Sequence, residues 1–117
     1  MVKQKSYEDL IVWQKAMDVV VGVYRLTDSF PKTEVYGLSS QMRRAAVSIP
    51  SNIAEGSRRR GAKESRQFLL IAYGSGSELE TQLKLAQRLS FGQEQEISKA
   101  LVLLGEVMRM LNVMTNK

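Results

Sequence analysis

The sequence predicts an all-α fold, an antiparallel up-down four-helix bundle, on three observations. Apolar residues recur at alternating steps of three and four in four separate stretches, the spacing of one helix face. The background is rich in Leu, Ala, Val and Met with only 2 prolines in 117 residues, which favours helix over strand. No stretch shows strand-like alternation, a repeat array or low complexity. A chain of this length has room for one domain, spanning residues 1–117.

The first helix is expected over 7–29. Ser6 followed by Asp9 reads as an N-cap with an acid three residues on. Leu10, Trp13, Met17, Val20 or Val21, and Tyr24 then mark the apolar stripe. Pro31 ends it, because a residue before proline is pushed out of helical backbone space. The second helix is expected over 35–57, with Leu38, Met42, Ala45, Ile49, Ile53 and Gly56 facing the core. Pro50 lies inside it, where the missing N–H predicts a kink without a break. Val47, Pro50 and Ala54 form a second apolar strip on the same helix, the pattern of a helix with a second partner.

The third helix is expected over 63–90, with Phe68, Ala72, Ser75, Leu79, Leu83 and Ala86 on one face. Gly74 and Gly76 weaken it by about 1 kcal/mol each, and Ser77 with Glu80 resembles a capping box. The apolar phase nevertheless survives from Phe68 to Ala86, which predicts one continuous helix stopped at Gly92. The fourth is expected over 94–114, on Ile97, Leu101, Leu104, Met108 and Leu111. Four helices of similar length on short connections alternate in direction around one core.

Composition narrows the chemistry. With no cysteine and no histidine there is no disulfide, thiolate nucleophile, imidazole base or zinc site of the usual kind. Glu78 and Glu80 stand two apart on a helix and point in different directions, and Glu55 and Glu106 are isolated, so paired-carboxylate catalysis has no support. No glycine is followed by the Gly-Lys-Ser/Thr of a phosphate loop. Trp13, Tyr24 and the Met108, Met110 and Met114 stripe read as core packing. The expectation is a non-enzyme with no cofactor and no metal. The polar N-terminus and short apolar runs suit a cytoplasmic protein that does not enter a membrane.

The net charge of +5 is uneven along the chain. Residues 1–34 and 67–117 each balance 5 basic against 5 acidic side chains, whereas 35–66 carry 7 basic against 2 acidic. The basic set is Arg43, Arg44, Arg58, Arg59, Arg60, Lys63 and Arg66. Clustered guanidinium groups suit phosphate contacts, making these the candidate nucleic-acid-binding residues. The plainer alternative is a solvated cluster complementing helix ends, with no aromatic inside it to stack a base. The line Gln41, Arg44, Ser48, Asn52 and Glu55 carries two readings as well. It is either a solvated face or a buried hydrogen-bond network.

The stretch SQMRRAAVSIPSNIAEGSRRR (Ser40 to Arg60) occurs with DLIVWQKA (Asp9 to Ala16), Phe30-Pro31, Tyr36 to Leu38 and FLLIAYGSGSELETQLKLA (Phe68 to Ala86). Together these blocks resemble the 23S ribosomal RNA intervening-sequence protein family, also called S23 or four-helix bundle proteins. The resemblance covers about residues 7–91 and rests on several separated blocks in order. It implies an up-down helical bundle and a homo-oligomer, with a pentameric ring as the expected form. A related branch is the accessory variability protein of diversity-generating retroelements. By that analogy the expected partners are RNA or DNA and a reverse transcriptase. Arg43, Arg44, Pro50, Asn52, Glu55 and Gly56 match the central motif. In a ring, Val47, Pro50 and Ala54 would form the oligomer interface.

Overall fold

The computed structural model describes residues 6–116, and every regular element among them is helical. The four helices are α1 (Ile11–Asp28), α2 (Leu38–Ser57), α3 (Ala62–Arg88) and α4 (Glu94–Thr115). Single 3-10 turns at Tyr7–Asp9 and Lys32–Glu34 precede α1 and α2. Each helix packs on its sequence neighbours, and α4 closes back on α1. Numbers paired across each contact have a near-constant sum, as antiparallel neighbours require. Ser48 meets Ser75 and Gly56 meets Ser65 between α2 and α3. Lys15 meets Glu106 between α1 and α4, while Arg66 meets Thr115 and Gly76 meets Met108 between α3 and α4. The bundle measures 50 × 27 × 23 Å.

The helix starts are decided locally. Ser6 caps as expected, but it caps a 3-10 turn: its hydroxyl accepts from the Glu8 N–H at 3.2 Å. Leu10 is extended (φ −74°, ψ 126°), so α1 opens at Ile11 instead of Tyr7. α2 is capped from outside, the Glu34 carboxylate accepting from the Leu38 N–H at 3.1 Å. It then runs unbroken through the buried Pro50.

α3 is continuous across Gly74 and Gly76, and the capping-box look of Ser77 and Glu80 goes unused. Its stop is Ser90, not Gly92. Ser90 takes the left-handed conformation (φ 59°), its N–H bonding Gln87 O at 3.2 Å and the Phe91 N–H bonding Ala86 O at 2.9 Å. That pair of bonds satisfies the last carbonyls of α3. Gly92 serves packing: at φ +73° a Cβ there would press on Leu26 and Phe30, whose ring lies 5.6 Å from that of Phe91.

All six core positions expected on α2 are buried, and the expected stripe on α4 points inward. On α1 the expected stripe is displaced. Val12, Ala16, Val19, Val23 and Leu26 fill the core, while Trp13 and Val20 sit half-buried and Met17 and Tyr24 are exposed. α1 carries two adjacent apolar stripes, and the one with the smaller side chains packs inside. Small residues let the backbones approach, so the larger stripe lies at the edge facing α2.

Candidate nucleic-acid interface

The fold divides the seven basic residues into three groups. Arg43 is a clasp between α1 and α2. Its Nε donates to Thr27 Oγ1 at 2.8 Å, and a terminal nitrogen donates to Asp28 Oδ1 at 3.0 Å and Tyr24 O at 3.4 Å. The guanidinium lies 4.5 Å from the centre of the Tyr24 ring. Tyr24 therefore holds an arginine on the surface instead of packing in the core, and Arg43 has its Nε and one terminal nitrogen committed within the protomer.

Arg44 is exposed on α2 and borders both the α1–α2 and the α2–α3 grooves, with no carboxylate within 4.0 Å among the described residues. It lies 14 positions before Arg58, which is about 21 Å along the helix. The two arginines of the central motif thus stand apart from the other five.

Those five gather where α2 ends and α3 begins, and two of them are engaged. Arg59 pairs with Glu55 at 2.8 Å and Glu64 at 3.6 Å and lies 4.6 Å over the Phe68 ring. Arg66 Nε donates to Thr115 O at 2.6 Å, placing a cation at the negative end of α4. Arg58, Arg60 and Lys63 are exposed and have no carboxylate within 4.0 Å among the described residues. The guanidinium of Arg58 lies 5.0 Å over the ring of Tyr7, which in turn packs 5.2 Å from Trp13. The aromatic missing from the cluster in sequence is thus delivered by the chain 51 positions earlier, a juxtaposition no local pattern carries. Glu8 and Asp9 lie in the same 3-10 turn as Tyr7 and bring negative charge to this end of the bundle.

The polar line on α2 is neither wholly solvated nor wholly buried. Gln41, Arg44 and Glu55 are exposed, and Ser48 and Asn52 are half-buried. Ser48 Oγ accepts from Ser75 Oγ at 2.8 Å and from Asn52 Nδ2 at 3.0 Å. Deeper in that groove Gln82 is 7% exposed, and its Oε1 has no donor among the described residues. An unpartnered buried acceptor costs about 1–3 kcal/mol, so Gln82 marks a place where a donor is wanted. Sequence reading passes over it because its meaning depends on the α2–α3 register.

Val47, Pro50 and Ala54 face the edge of α1. Pro50 is buried within the protomer, Ala54 is half-buried and Val47 is 40% exposed. With Trp13, Met17 and Val20 they line a shallow apolar groove of about 450 Å³. Beyond Val47 a larger groove of about 720 Å³ continues past Tyr24 and Val35 to the start of α2. The face across α1 and α2 is therefore apolar around Trp13, Met17, Val47 and Pro50 and mixed toward the start of α2, where Asp28, Lys32, Arg43 and Arg44 also line the groove.

Among the described residues no helix is long and apolar enough to cross a membrane. Among the same residues no group of three or more acidic side chains is placed to hold a metal ion.

Comparison with known proteins agrees with this architecture. A crystal structure of a protein of unknown function from the S23 ribosomal protein family of Bacteroides thetaiotaomicron VPI-5482 superposes with a TM-score of 0.81. The superposition covers 92% of this chain and 100% of that one at 20% identity, a likeness of fold. No curated protein matches the chain. The family model for the 23S rRNA-intervening sequence protein matches residues 8–113, from the 3-10 turn to the last turns of α4. With all but the last two residues of α4 inside that match, the chain belongs to the 23S rRNA-intervening sequence protein family.

Proposed function

We propose that the protein is a non-enzymatic accessory module that binds nucleic acid through its α2–α3 turn and assembles with copies of itself. The carrying observation is that Arg58 and Arg60 in the turn and Lys63 at the start of α3 have no carboxylate within 4.0 Å among the described residues. Such a turn meets phosphate backbones without reading bases, so binding is independent of sequence and falls steeply with salt as counterions are released. Self-assembly multiplies the turn, turning weak single contacts into a strong multivalent one.

The test is a fluorescence-anisotropy titration against structured RNA and duplex DNA at several salt concentrations. Charge reversal at Arg58 and Arg60 is expected to weaken binding and flatten the salt slope while leaving helicity unchanged. Absence of binding by the natural protein at low salt would remove the nucleic-acid reading.

The apolar α1–α2 face favours a protein-interaction reading beside it, with a second copy as the first occupant. Ala54→Glu sets a charge at the middle of that face and is expected to yield a folded monomer from an oligomer. Light scattering that reports the same mass for both proteins rules this face out as the interface.

A further inference from the structure

Among the described residues three arginines lie over aromatic rings, and two of them are neutralised. Arg43 over Tyr24 pairs with Asp28, and Arg59 over Phe68 pairs with Glu55 and Glu64. Arg58 is the exception. Its guanidinium lies 5.0 Å from the centre of the Tyr7 ring, with no carboxylate within 4.0 Å and no side-chain hydrogen bond donated among the described residues.

Tyr7 is a fixed platform for it. The 3-10 turn is closed by the Leu10 N–H on Tyr7 O at 3.0 Å, and Gln14 Nε2 ties it to α1 by donating to Glu8 O at 2.9 Å. Tyr7 is half-buried, its ring 5.2 Å from that of Trp13, whereas Arg58 is exposed. The side of the guanidinium turned to Tyr7 is therefore covered, and the side turned away is left to solvent.

A planar, weakly hydrated cation held in this way accepts a second flat ring on its open side. Phosphate satisfies the charge and the N–H edge, but an aromatic ring is the better match to the open face. A nucleobase offers that ring only when it is unpaired, because in a duplex its neighbours cover both of its faces. Glu8 and Asp9 beside Tyr7 repel phosphate, while Arg60 and Lys63 attract it. A strand is thereby drawn with its backbone toward Arg60 and Lys63, leaving a base for Arg58.

We propose that Arg58, backed by Tyr7 and Trp13, is a stacking site for an unpaired nucleobase, which makes the arginine turn a single-strand site. The proposal rests on the nucleic-acid reading above and adds the class of ligand. Stacking is indifferent to base identity, so binding stays independent of sequence.

The experiment is a fluorescence-anisotropy titration at fixed low salt with oligothymidine and oligouridine. Each is compared with an abasic strand of the same sugar, length and charge, and with a duplex. In the sugar series that binds more tightly, the strand with bases is expected to bind about tenfold better than the abasic one. Arg58→Lys keeps the charge and loses the plane, and is expected to erase that difference while leaving duplex affinity unchanged. Tyr7→Ala, which removes the platform, should reduce the difference in the same way. Equal binding of base-bearing and abasic strands by the natural protein would overturn the stacking site and leave a turn that works by charge alone. An advantage of the bases that survives Arg58→Lys would overturn it equally. No binding of any strand or duplex removes the nucleic-acid reading itself, and the stacking site with it.

Discussion

Two glycines two positions apart in α3 separate a packing requirement from a propensity cost. A Cβ at Gly76 would run into the Met108 sulfur, whereas one at Gly74 meets nothing within 4 Å. Gly74→Ala should therefore stabilise the protein by about 0.5–1 kcal/mol, since alanine is the better helix former on an exposed face. Gly76→Ala gains the same propensity but should fall short of Gly74→Ala by about 1–2 kcal/mol, because the Met108 side chain must move to accept the methyl. Urea melts of the two variants check the difference. In sequence both residues look like the same weak point, and only their neighbours on α4 tell them apart. The same limit applied to Gln82, a routine polar residue until packing buries it. The α2 stripe, by contrast, was fully readable, because Leu38, Met42, Ala45, Ile49, Ile53 and Gly56 offer no rival apolar phase of equal length.

At the scale of elements, what joins α1 to α4 is partly a titratable link. Lys15 Nζ bonds Glu106 Oε2 at 2.9 Å, both side chains roughly one-third exposed. The hydrogen bond from Lys15, and then its charge, hold the Glu106 carboxyl below the ordinary carboxylate range, with a further contribution from Arg109. A carboxyl lowered in the folded state stabilises above its unfolded value and loses that contribution as pH falls through the folded one. Glu106→Gln should thus melt below the natural protein at neutral pH, and the gap should close as pH falls through the lowered range in which the folded carboxyl takes up its proton. Thermal scans across that range provide the check. The helices themselves were legible from periodicity, their order from short connections. α1 was harder: Trp13, Met17, Val20 and Tyr24 keep helical spacing as faithfully as Val12, Ala16, Val19 and Val23. Hydrophobicity ranks the larger set higher, yet close approach of the backbones selects the smaller. That choice leaves an apolar edge on α1 beside the second strip of α2, so the misread stripe and the candidate interface are one feature.

For the whole molecule, the return of α4 onto α1 has a topological consequence. The Lys15–Glu106 register brings Ser6 and Thr115 to the same end of the bundle, so a short linker could join them. The chain could then be opened elsewhere without changing any helix. Opened between Ser90 and Gly92, such a circular permutant keeps the arginine turn as a closed loop. Opened between Arg60 and Gly61, it keeps every cation but frees Arg58 and Arg60 from Lys63. Both permutants should fold with the helicity of the natural chain, read by circular dichroism, since no helix is cut. Any difference between them in affinity for RNA would then measure the entropy that loop closure removes from the cations, at identical net charge.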